Sequence, residues 1–67
     1  MQQILLDREI KSSGITVVEL CEKTGIPTST FYRKRSGCVP FDTRDINLIC
    51  KVLGVTDPVK IKSIFLE

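Results

Sequence analysis

Thr16-Val17-Val18-Glu19-Leu20-Cys21-Glu22-Lys23-Thr24-Gly25-Ile26-Pro27-Thr28-Ser29-Thr30-Phe31-Tyr32-Arg33-Lys34-Arg35-Ser36-Gly37 is the stretch whose reading decides the fold. Thr16 suits a helix N-cap, and Glu19 three residues on completes a capping box, in which each side chain accepts the other's orphaned amide hydrogen. Val17, Leu20, Cys21 and Thr24 then recur at helical spacing. Gly25 stops this helix, because glycine enters the left-handed region without steric cost. A second helix starts at Pro27 or Thr28 and runs to about Ser36, with Gly37 as its stop; proline suits a first helical position and threonine a cap. Two helices crossing over so short a turn make four demands: a small residue where they touch, a residue free to take positive φ, a plug after the turn, and an inward-facing residue on the second helix. Cys21, Gly25, Ile26 and Phe31 meet these demands in that order. The stretch reads as a helix-turn-helix.

Outward from it, the chain repeats the same punctuation. On the N-terminal side, Gln2 to Ser13 carries Leu6 and Ile10 four apart on one face, with Gln3 and Ser13 along the same line, and Gly14 ends it. On the C-terminal side, Cys38 to Phe41 form a loop around Pro40. Asp42 or Thr43 then caps a helix ending at Leu53, with Ile46, Ile49, Cys50 and Leu53 on one stripe and Gly54 as its stop. Asp57-Pro58 opens a last helix, Pro58 to Leu66, bearing Ile61, Ile64, Phe65 and Leu66. No sustained period-two alternation and no Asn-Gly or Asp-Gly turn suggests a strand. The expectation is one all-α domain over residues 1–67, built from five short helices.

Composition narrows the function classes. At 67 residues the chain buries only about 60% of its unfolded surface, so its core is thin and a deep catalytic cleft is not expected. There is no histidine, no glycine-rich phosphate loop, no paired-carboxylate motif and no base beside a cysteine, which argues against an enzyme. Cys21, Cys38 and Cys50 are 17 and 12 residues apart, spacings that suit neither a disulfide framework nor a zinc site. Cys21 and Cys50 read as small core residues and Cys38 as an exposed loop thiol. No cofactor or metal is expected. The longest apolar runs, such as Ile4-Leu5-Leu6, span three residues, and no secretory signal is present. A membrane-spanning helix needs about twenty apolar residues, so the expected setting is cytoplasmic with no membrane partner. The net charge of +2 is uneven: residues 1–25 carry −1, residues 26–44 carry +3 and residues 45–67 sum to zero. A basic middle third suits a polyanion partner; a solvated face without a ligand is the other reading.

Thr16 to Gly37 resembles the helix-turn-helix of the phage Cro and cI repressors, the lambda-repressor-like or xenobiotic-response-element family. The five-helix layout and the Leu53-Gly54-Val55 ending of the fourth helix resemble it too. That resemblance implies a small transcriptional regulator, a repressor, binding double-stranded DNA with its third helix in the major groove. Carried onto this chain, the base-reading positions fall on Thr28, Ser29, Tyr32 and Arg33. The phosphate-contacting positions fall on Thr16 and Val17, with Lys34, Arg35, Ser36 and Arg44 as further candidates. Val17 lacks a polar side chain, but a helix N-terminal amide also attracts phosphate. Several roles stay open. Arg33 is suited to guanine O6 and N7 or to a phosphate. Thr28 and Ser29 suit base edges or plain capping. Tyr32 suits a base, a phosphate or mere surface.

Two departures from the family pattern stand out. Where relatives often pair an arginine with a glutamate, this chain has Ile10 and Arg35, so that ion pair is expected to be absent. Arg35 is then expected to reach a phosphate or to favour the negative end of its helix. Lys34 replaces a commonly apolar residue, its stem covering the core and its ammonium reaching solvent. Relatives usually bind pseudo-palindromes as homodimers, and Ile61, Ile64, Phe65 and Leu66 form the expected dimer surface, unless they close the monomer's own core. Two alternatives remain: an interaction module that keeps the fold without reading DNA, and the DNA-binding part of a longer repressor.

Overall fold

In the computed structural model, residues 3–66 are described, and five helices and no strand lie among them. They are α1 (Gln3–Ser12), α2 (Val17–Thr24), α3 (Thr28–Arg35), α4 (Thr43–Leu53) and α5 (Pro58–Phe65). The expected start of the first helix at Gln2 lies outside the described residues. The caps explain the boundaries. Thr16 Oγ1 accepts the Glu19 amide at 3.2 Å while the Glu19 carboxylate accepts the Thr16 amide at 3.2 Å, completing the expected capping box. Asp42 and Asp45 build a second one at the head of α4, which settles its cap on Asp42. Asp57 accepts the Val59 amide at 3.0 Å, with Pro58 opening α5.

Head of α3: the expected cap does not form. Pro27 takes the N-cap place and Thr28 the first helical position, so no side chain caps this helix. The reversal from α2 into α3 forces this, since Pro27 at φ −58°, ψ 141° is extended backbone. Gly25 makes that reversal possible. Its φ is +78°, and its amide donates to the Cys21 carbonyl at 2.9 Å, closing α2.

One large side chain from each helix meets at the centre: Leu6, Leu20, Phe31, Ile49 and Ile64 are the most deeply buried. Ile10, Cys21, Ile26, Cys50, Val55 and Phe65 complete the core. Helix α2 packs on α4 and α3, and α1 packs on α5. Lys60 near the start of α5 reaches Glu9 toward the end of α1 at 2.6 Å. Three aromatic rings stack edge to face across the middle. Phe31 and Phe41 lie 5.9 Å apart, and Phe41 and Phe65 5.5 Å apart.

The C-terminal helix corrects the expected dimer surface. Ile64 and Phe65 are core residues, 2% and 8% exposed, and Ile61 packs partly against the same core. Leu66 alone of the four stays open, at 67%. In so small a domain the other helices leave the core unclosed, and α5 closes it.

Candidate nucleic-acid interface

Helix α3 buries one residue of eight, Phe31. Because Phe31 faces inward, Ser29, Arg33 and, just past the helix, Ser36 fall on the far side, with Thr28 and Tyr32 flanking them, and all five are exposed. The four residues expected to read bases thus lie side by side on one stripe. No side-chain hydrogen bond engages the hydroxyls of Thr28 and Ser29 among the described residues. No side chain caps the first amides of α3, which leaves a positive field at this end of the stripe. Arg44 is exposed on the first turn of α4 and lines a cleft together with Pro27 and Thr30, beside the same end of α3.

The turn behind the stripe is held by a residue that sequence reading treated only as part of a helical face. Thr24 is buried; its hydroxyl donates to the Leu20 carbonyl at 2.9 Å and accepts the Ile26 amide at 3.4 Å. One side chain therefore bridges the end of α2 to the segment entering α3. Such a back-bond is a known alternative use of threonine near a helix end, but nothing in the spacing distinguishes it from an ordinary apolar-face threonine.

The remaining expected phosphate contacts fare differently. The Thr16 hydroxyl and amide are both engaged in the capping box with Glu19. Val17 is half-buried against the core. Its amide opens α2 and has no partner inside the helix. Ser36 Oγ donates to the Arg33 carbonyl at 2.9 Å and lies 3.5 Å from Cys38 Sγ.

Lys34 and Arg35 do not face outward. Lys34 Nζ bonds Asp45 Oδ2, and both side chains are largely enclosed, which corrects the expectation of an ammonium in solvent. Arg35 Nε and Nη2 grip Asp7 Oδ1 and Oδ2 at 2.8 and 2.5 Å. An ion pair between α1 and α3, expected to be missing, is present with its polarity reversed and shifted from Ile10 to Asp7, one turn earlier on the same face. Hydrogen bonds from Arg35 hold the Asp7 carboxyl below its ordinary range and raise the guanidinium in turn. At Asp45, burial pushes the carboxyl up, but hydrogen bonds from Lys34 and from the Asp42 amide outweigh it and leave it lowered. Of the four cations between Ile26 and Arg44, two are thus neutralised. Arg33 and Arg44 have no ion-pair partner among the described residues.

Two short helices joined by a glycine turn, with a solvent-facing polar stripe on the second, define a helix-turn-helix DNA-binding domain. A family model described as a Cro/C1-type HTH DNA-binding domain matches residues 2–58, and the chain belongs to that family. The match ends at Pro58, so it covers the helix-turn-helix and leaves the body of α5 outside it. A search of curated proteins and a search of solved structures returned no match.

Proposed function

We propose that this chain is a phage-type transcriptional repressor of the cytoplasm that binds a specific double-stranded DNA sequence with α3 in the major groove. The observation that carries this reading is the exposed stripe of α3. It bears Thr28, Ser29, Tyr32 and Arg33 as base readers, backed by a helix face that buries Phe31. Arg33 is the side chain assigned to guanine, since no carboxylate among the described residues pairs with it and a bidentate contact to O6 and N7 suits its fork. Phosphate contacts are assigned to Ser36, Arg44, the Val17 amide that opens α2, and the amides opening α3; Thr16 leaves the set because Glu19 already holds its amide and hydroxyl. Lys34 and Arg35 drop out of that set, because their charges are spent inside the domain. A homodimer on a pseudo-palindromic site is part of the proposal. Val59 and Leu66, seven residues apart and 72% and 67% exposed, are the apolar surface that α5 offers a second copy.

The test is an amide-shift titration of labelled protein with a mixed-sequence duplex at low and moderate salt. Shifts confined to Thr16–Val17, Pro27–Gly37 and Arg44, fading with salt, are expected. Arg44 is the one cation assigned to phosphate, so Arg44→Ala should flatten the salt dependence by about 1 per chain, while Arg33→Ala should relax discrimination at one base pair by about 1–3 kcal/mol. No shifts at low salt, where non-specific binding is strongest, would overturn the proposal and favour a protein-interaction module.

A further inference from the structure

Helix α3 is held by very little apolar surface. Seven of its eight residues avoid the core, and Phe31 alone enters it. A single inserted ring fixes where the helix sits but leaves its tilt and roll weakly determined. Two further ties are present, and both are charged. Lys34 is drawn to Asp45 on α4, and Arg35 to Asp7 on α1. Adjacent residues on a helix diverge by about 100°, so these ties pull toward different neighbours. Together with Phe31 they make three attachments to three different parts of the domain.

Each tie is also stiff. Arg35 meets Asp7 through two parallel N–H···O bonds, a planar arrangement with defined orientation. Asp45 is fixed by the capping box of α4, donating its amide to Asp42 at 2.8 Å while Oδ2 accepts the Asp42 amide at 3.3 Å. We infer that Asp7 and Asp45 are positioning residues for DNA reading, setting the tilt and roll of α3 although neither lies on its exposed stripe. This inference rests on the proposal that the stripe reads DNA.

The inference and a simple charge effect predict opposite signs. A carboxylate near DNA repels phosphate, and losing it also releases a cation. If charge were the whole of it, Asp7→Asn and Asp45→Asn would strengthen binding to every duplex. If the carboxylates position α3, binding to a mixed-sequence duplex rises while binding to the preferred duplex falls.

The experiment first selects a preferred duplex from a random-sequence library with the full chain. The affinities of wild type, Asp7→Asn, Asp45→Asn and Glu9→Gln are then measured on that duplex and on the mixed-sequence one. Glu9→Gln breaks the α1–α5 ion pair with Lys60, so it reports on the loss of a structural tie that does not touch α3. For both aspartate variants the ratio of the two affinities should fall by about tenfold, as the displacement of one base contact would give. Amide shift changes in the free protein should concentrate in Thr28–Ser36. Glu9→Gln should leave the ratio within about twofold even where it lowers the melting temperature. In Asp7→Arg combined with Arg35→Glu the tie is rebuilt with the opposite polarity and should recover the ratio. If Asp45→Asn does not fold, Asp7→Asn and the swapped pair decide alone, since Asp7 is half-exposed. Unchanged ratios in the aspartate variants would overturn the positioning role while leaving DNA reading intact. A library from which wild type enriches nothing would overturn DNA reading itself, and the positioning role with it.

Discussion

Replacing Phe31 by leucine tests how the recognition helix is attached. The ring has no solvent exposure and is the only core residue on α3. Truncation to alanine would cost about 3–5 kcal/mol. At about 0.05–0.15 kcal/mol per residue a 67-residue domain holds only about 3–10 kcal/mol, so Phe31→Ala risks global unfolding and reports little. Leucine keeps most of the volume, and its altered shape costs about 1 kcal/mol. It also loses the edge-to-face contact with Phe41, whose ring centre lies 5.9 Å away at an interplanar angle of 63°. Such contacts contribute about 0.5–1.5 kcal/mol beyond burial. The sum is about 2 kcal/mol, which in a domain this size lowers the melting temperature by about 8–16 °C. Urea and thermal unfolding followed by circular dichroism measure it. A double-mutant cycle with Phe41→Leu isolates the ring contact, with an expected coupling of about 0.5–1.5 kcal/mol. A melting temperature lowered by less than about 3 °C would refute the claim that α3 hangs on this residue. A coupling below about 0.3 kcal/mol would show that Phe31 acts by volume alone.

Three further predictions follow from the same geometry. Thr24→Val should cost about 1–3 kcal/mol in urea unfolding, since it removes a buried hydrogen bond and leaves the Ile26 amide without an acceptor; Thr24→Ser should cost clearly less, and equal costs would mean that the hydroxyl contributes nothing. Asp7 and Asp45 have carboxyls held below their ordinary value of 3.8, so their stabilisation is complete above that pH and is lost as pH falls through the lower folded values. The urea midpoint of wild type should therefore drop steeply below about pH 4, and that of the Asp7→Asn, Asp45→Asn double variant should drop less; parallel curves would contradict the ion-pair assignment. Burial raises the thiols of Cys21 and Cys50, whereas Cys38 is exposed, so iodoacetamide should label Cys38 in the native protein and the other two only on unfolding, which mass spectrometry of the modified peptides would read.

Much of this protein is written locally. Thr16 with Glu19, the glycine at position 25, and the apolar stripe through Ile46, Ile49 and Cys50 act within one or two helical turns. Their spacing alone therefore announces the helices and the turn between them. The outward stripe of α3 is legible for the same reason, because one buried phenylalanine sets the phase of an eight-residue helix. What the sequence leaves undetermined depends on residues distant in the chain. Nothing near Arg35 points to Asp7, 28 residues away, and nothing near Lys34 points to Asp45; only the packing of three helices brings them within bonding distance. The same packing makes internal ties of two of the middle cations. It also decides that Ile64 and Phe65 close the core and are not left for a partner. Helical periodicity is a short-range property, whereas charge pairing and core closure are properties of the assembled fold.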